Sequence, residues 1–133
     1  MKIPVIPSEY STTLPEHDGQ ADAPLFVYEP YNEDEAAEVG ARLHVLASTH
    51  ETDLAGENRV SEDAAVKFTR FFVDAFNQRI RRIENLVVGD AEEPFEAARP
   101  DHLRSVPAKW KVAVGREILT RLQRGITERE EGN

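Results

Sequence analysis

From about Ser61 to Val88, Ala65, Phe68, Phe72, Ala75, Phe76, Ile80, Ile83 and Val87 recur every three or four residues, and this stripe constrains the chain more than any other feature. Such spacing lines one face of an α-helix, and Phe71 and Leu86 widen that face. Ser61 supplies an N-cap oxygen, Glu62 and Asp63 suit the positive end of the helix dipole, and Gly89 offers the left-handed residue that closes a helix. At about 1.5 Å per residue the helix would span roughly 40 Å, enough to act as the spine of a domain. Its other face carries Lys67, Arg70, Arg81 and Glu84. A spine of this kind folds only if other elements cover its apolar side.

Two further helices are available for that. Asn32 and Glu35 make a capping-box pattern, with Glu33 and Asp34 in the first turn, and Ala36, Val39, Leu43, Leu46 and Ala47 then keep helical spacing. Periodicity fades over residues 48–60, which reads as a loop containing Gly56 and Asn58. Beyond Asp90 an acidic loop carries Phe95, an isolated aromatic expected to tuck back under the helices. Pro100 suits the first turn of a short helix over residues 101–105, and Val106 before Pro107 predicts a bend. A last helix is expected from about Pro107 to Leu122, with Trp110, Val114, Ile118 and Leu122 on one side and Gly125 as its stop. The ITEREEGN tail is expected to fray.

At the other end, Pro4, Pro7, Pro15 and Pro24 mark residues 1–24 as an extended arm. Leu25 to Glu29 (LFVYE) is aromatic and β-branched and is closed by Pro30, which predicts a short strand that Ile3, Val5 and Ile6 could pair with. The expected fold is therefore mainly α: a three-helix domain over residues 25–125, preceded by a short β-like hairpin or extended arm and followed by a charged tail at 126–133.

With 133 residues the chain fits one hydrophobic core. It lacks an apolar run of membrane-spanning length, and its start lacks a signal-peptide core, so a cytoplasmic protein is expected. The absence of cysteine removes disulfides and thiolate metal sites. The net charge of −9 is one-sided, since residues 1–60 hold 12 acidic and 3 basic side chains while the remainder holds 13 of each. A negative field repels phosphate backbones, which disfavours direct nucleic-acid binding and suits solubility or a basic protein partner.

Catalytic chemistry finds little support. His17, His44, His50 and His102 lack the one-turn spacing of a helical zinc site, and are expected to serve as surface or capping residues. No phosphate-cradling glycine loop and no nucleophile elbow occurs. The acids Glu33, Asp34, Glu35 and Glu38 are accounted for by a helix start. The expectation is a protein that is not an enzyme and takes no cofactor or metal. Two features fit protein binding instead. Phe68, Phe71, Phe72 and Phe76 cover a wider arc than one neighbouring helix needs, which suits a docking groove as well as a core. Arg79, Arg81 and Arg82 form a basic knot, with Arg79 and Arg82 on one helical face, suited to pairing with the acidic first half or with a partner. Phe68, Phe71, Phe72, Arg79, Arg82 and Trp110 are the candidate partner-binding residues.

The order PLFVYEPYNEDEAAEV, then a helix closing on RRIENLVVGD, then EPFEAARPDHLRSVPAKWKVAVGREIL resembles the tail assembly chaperones of tailed bacteriophages, over about residues 24–122. The chain departs from that family in having Val88-Gly89-Asp90 where a turn tryptophan is common, and in its arm over residues 1–23. The resemblance implies a non-virion cytoplasmic factor that binds the long helical tape measure protein and assists tail tube assembly. Two alternatives compete with it. An acidic nucleic-acid mimic, of the anti-restriction or anti-CRISPR kind, requires rows of carboxylates at phosphate-like spacing. A small structural virion protein would be found in purified particles.

Overall fold

Leu25–Tyr28 forms a strand, as its aromatic and β-branched content predicts, and that strand is the middle of a three-stranded antiparallel sheet. The computed structural model describes residues 7–49 and 62–131, with the backbone alone at 49, 62 and 122–131. Along the chain the elements are β1 (Tyr10–Thr12), a 3-10 turn (Pro15–His17), β2 (Leu25–Tyr28), α1 (Glu33–Thr49), α2 (Glu62–Arg79), β3 (Ile80–Glu84), β4 (Val87–Val88), β5 (Glu93–Pro94), α3 (Pro100–Ser105) and α4 (Ala108–Glu131). The sheet order is β1-β2-β3, and β4 and β5 make a separate hairpin.

This is a mixed α/β fold, and it corrects the expected three-helix domain. The long spine helix does not reach Val88. It stops at Arg79, and the chain continues as β3 alongside β2. The reason lies in the register: Phe26 faces Ile83, Val27 faces Arg82 and Tyr28 faces Ile80, with a shift between Val27 and Tyr28. Arg81 is thus the extra residue of a β-bulge. In a regular strand, residues three apart point to opposite faces. The bulge restores Ile80 and Ile83 to the same inward side, and both are buried. A spacing of three that reads as helical is here the signature of a bulged strand.

Gly89 does adopt a left-handed conformation, φ 76, but in the β4–β5 hairpin and not as a helix stop. The Glu92 N–H donates to the Gly89 carbonyl at 3.1 Å and the Phe95 N–H to the Leu86 carbonyl at 3.1 Å, closing the loop with Phe95 buried as expected. Asn85, at φ 64, turns the chain between β3 and β4 and donates from its side chain to the Ala23 carbonyl at 3.2 Å. Asparagine tolerates that region better than most residues.

Some of the other local expectations hold and some do not. The Glu35 N–H donates to Asn32 Oδ1 at 2.8 Å and the Asn32 N–H to Glu35 Oε1 at 3.3 Å, a reciprocal capping box at the start of α1. Pro100 opens α3, and Val106 is extended (ψ 128) ahead of Pro107. The stripe of α1 is only half-buried at Ala36, Val39, Leu43 and Leu46, and Ala47 is exposed. Helix α4 runs through Gly125 to Glu131, past its expected stop. One glycine inside a helix costs only about 1 kcal/mol, and strong helix formers such as Gln123 and Arg124 precede it. Residues 7–24 of the arm join the body through β1, which pairs Tyr10 with Tyr28, and through buried Leu14. The proposed strand partners Ile3, Val5 and Ile6 lie outside the described residues, as do Ser61 and most of the 48–60 loop.

Phe26, Tyr28, Phe76, Ile80, Ile83, Phe95, Val106, Val114 and Ile118 meet between the sheet and the α2/α4 pair. Lys111 lies over the Phe76 ring and Arg116 over the Phe72 ring, so the two helices run antiparallel. Their closest approach is at Gly115: a β-carbon there would come within 2.0 Å of the Phe72 carbonyl oxygen. The obstacle is backbone, so one helix must move. Gly115→Ala is expected to destabilise the fold by about 1–3 kcal/mol despite the better helix propensity of alanine. Thermal unfolding checks this, and an unchanged or raised Tm would show that the helices are further apart.

Candidate functional site

The six candidate residues fall into three separate places. Phe68, Phe71 and Phe72 are half-buried on α2, where Phe68 and Phe72 stack with ring centroids 6.4 Å apart. Above Phe72 the Arg116 guanidinium lies 5.3 Å from the ring centroid, within cation–π range. Together these side chains form an aromatic ridge with one cation on it. Trp110, on the first turns of α4, lies elsewhere. It meets the edge of Phe26 at 6.0 Å and His17 at 5.2 Å, and it borders a cavity of about 180 Å³ shared with Leu86, Val87, Val88, Val106 and Pro107.

The two arginines are engaged within the chain. Arg79 is held by the Glu29 carbonyl (3.3 Å), the Pro30 carbonyl (3.1 Å), Glu29 Oε2 (3.3 Å) and Glu35 Oε2 (3.2 Å), and its guanidinium lies 5.0 Å from the Tyr31 ring centroid. Only 14% of its side chain is exposed. Arg82 is half-exposed and bonds both oxygens of Glu9 at 3.1 Å. Arg81 reaches Glu29 at 2.9 Å. Glu9, Glu29 and Glu35 thus spend their charge on this knot, which links the acidic first half of the chain to α2 and β3.

Two features escaped sequence reasoning. The first is a groove of about 360 Å³ lined by Ala113, Arg116, Glu117, Thr120 and Arg121 on α4. Arg121 Nε lies 3.7 Å from Glu117 Oε1, and its guanidinium covers the Tyr10 ring at 4.2 Å. Positions 113, 116/117 and 120/121 are a helical stripe, and that signal was present but polar. The second is His102, expected on the surface or at a cap but buried. Its Nδ1 accepts the Glu96 N–H at 3.0 Å, so the ring proton sits on Nε2, facing Glu93 Oε2 at 3.3 Å. Arg99 bridges Glu93 (2.6 Å) and Asp101 (2.7 Å). The Arg99 hydrogen bond, with a smaller one from His102, holds the Glu93 carboxyl below its usual range, and Arg99 does the same for Asp101. This network clamps the loop carrying Phe95 onto α3.

Among the described residues, no group of three or more His, Asp and Glu side chains converges as a metal site, and no helix is long and apolar enough to cross a membrane. Among the described residues the surface offers half-buried aromatic area on α2 with the Arg116 guanidinium over Phe72, and concavities beside Trp110 and on α4. Comparison with protein-family models, curated proteins and solved structures returns no match.

The two arginines differ in burial, and that sets their effect. Removing Arg79 takes the donor from the Pro30 carbonyl and the side-chain donor from the Glu29 carbonyl, and leaves Glu29 with Arg81 alone and Glu35 with the Asn32 N–H alone, so Arg79→Ala is expected to cost about 2 kcal/mol or more. Removing Arg82 breaks a solvent-exposed pair and is expected to cost less than about 1 kcal/mol. Urea denaturation of both variants tests the contrast, and equal costs would contradict it.

Proposed function

We propose that the protein is a non-enzymatic binding factor that works as tail assembly chaperones do, holding a long helical tape measure protein while tail tube subunits assemble. The observation that carries the protein-binding part is the half-burial of Phe71 and Phe72 on α2. Rings that were needed only for the core would be buried like Phe76. An apolar stripe on a partner helix can lie against such a ridge with i, i+3, i+4 anchors. The resemblance to that family over about residues 24–122, in the order PLFVYEPYNEDEAAEV, RRIENLVVGD and EPFEAARPDHLRSVPAKWKVAVGREIL, supplies the kind of partner.

The acidic-mimic alternative draws less support. Such a surface needs free carboxylates in rows, and Glu9, Glu29 and Glu35 are each taken up by an arginine.

Co-expression of the tagged protein with the tape measure protein of its own genome, followed by affinity capture, tests this reading. The expected result is soluble co-purification, lost in Phe71→Asp while the circular dichroism spectrum is unchanged. An insoluble tape measure protein, or capture that Phe71→Asp leaves intact, would contradict it.

A further inference from the structure

Of the described histidines only His102 is buried, with 2% of its surface exposed. Its two ring nitrogens are committed to different segments. Nδ1 accepts the Glu96 N–H at 3.0 Å, and Nε2 faces Glu93 Oε2 at 3.3 Å. The ring also lies 6.2 Å from that of Phe95, centroid to centroid. One imidazole on α3 therefore holds β5, the backbone behind it, and the Phe95 ring that seats this loop in the core.

The arrangement suits the neutral ring alone. An imidazolium carries two donors and no acceptor, so a proton on Nδ1 would set one N–H against the Glu96 N–H. No rotation of the ring restores an acceptor there. Burial removes the other remedy, because solvent does not reach the ring to satisfy the new donor or the new charge. The Nε2 side offers little in return. Arg99 Nη1 already lies 2.6 Å from the same Glu93 Oε2, so an imidazolium would share one oxygen with a second cation.

The charged groups around the ring are Glu93 on β5, Glu96 and Arg99 in the loop and Asp101 on α3. Three carboxylates against one guanidinium draw protons to this place. Hydrogen bonds from Arg99 hold the Glu93 and Asp101 carboxyls below their usual range, so both stay charged over the pH range in which histidine ordinarily titrates. The neighbourhood thus attracts a proton that the seat of the ring cannot accommodate.

We propose that His102 is a proton-operated latch: uptake of one proton on Nδ1 breaks its bond to the Glu96 N–H and releases the loop carrying Phe95 from α3, while the α2/α4 pair and the three-stranded sheet stay folded. The latch is closed while the ring is neutral and opens as the pH falls, since the open loop is the form that binds the extra proton. Opening uncovers Phe95, which is otherwise buried. The latch is independent of the partner proposed above.

NMR titration of the full-length chain, labelled with ¹³C and ¹⁵N, from about pH 7.5 to about pH 5 tests this across the ordinary range of histidine. The His102 ring signals and the Glu96 amide are expected to move along one curve. The protection of the Glu96 amide against hydrogen exchange, corrected for the intrinsic rate, should fall by up to about tenfold per pH unit, the dependence that one proton gives. The Phe76 and Val114 amides should keep their protection. His102→Asn supplies an acceptor close to the place of Nδ1 that does not titrate in this range, and there the Glu96 amide should hold one shift and one protection factor throughout. A ring that stays neutral over the whole range, a ring that takes up its proton while the Glu96 amide is unmoved, or a loss of Glu96 protection that persists in His102→Asn would each overturn the proposal. So would a simultaneous loss at Phe76 and Val114, which would mean unfolding of the whole domain. The wild-type titration decides the matter even if His102→Asn does not fold.

Discussion

Arg79 stands at the junction where α2 becomes β3, and its bonds decide how the remaining elements are placed. Its carbonyl accepts the Glu29 N–H at 2.9 Å, continuing the sheet ladder into the last residue of the helix. Its guanidinium ties the end of β2, through Glu29 and Pro30, to the first turn of α1, through Glu35. Glu35 is at once the capping-box residue of α1 and a ligand of Arg79, so one carboxylate couples a helix start to a helix end. A largely buried cation with several acceptors contributes less to net stability than to choosing one arrangement over others. Here the arrangement chosen is the passage from helix to strand at Ile80.

From that junction the proposed binding surface follows. Turning the chain into β3 puts Ile80 and Ile83 in the core with Phe26 and Tyr28, while α4 runs antiparallel beside α2. The close approach at Gly115 then sets the neighbouring residue, Arg116, over Phe72. The aromatic ridge and the α4 groove are thus consequences of one helix crossing, and the proposed grip on a partner depends on backbone packing that contains no charged group.

Much of the local structure was legible in the residues. The Asn32/Glu35 cap, the Leu25–Tyr28 strand, Pro100 at a helix start and the Val106-Pro107 bend depend on near neighbours alone, and each is found. The spine helix was over-extended because periodicity cannot register a bulge: Ile80 and Ile83 satisfy helical spacing and bulged-strand spacing equally. What separates the two is the pairing with residues 26–28, which are distant in the chain. The site was legible in part for the same reason. Phe68 and Phe72 share a helix face and do stack, whereas Arg116 reaches Phe72 only through the tertiary contact at Gly115. Helical spacing puts Arg79 and Arg82 on one face. In the structure they belong to a helix end and a strand, and each is bonded to carboxylates of the first half.

Backbone chemical shifts with interstrand NOEs across residues 76–88 decide whether α2 gives way to a bulged strand after Arg79. Helical shifts through Arg79, extended shifts from Ile80 to Glu84, and NOEs linking Tyr28 with Ile80 and Phe26 with Ile83 are expected. Unbroken helical shifts as far as Val88, without those NOEs, would contradict the bulged strand and restore the single long spine.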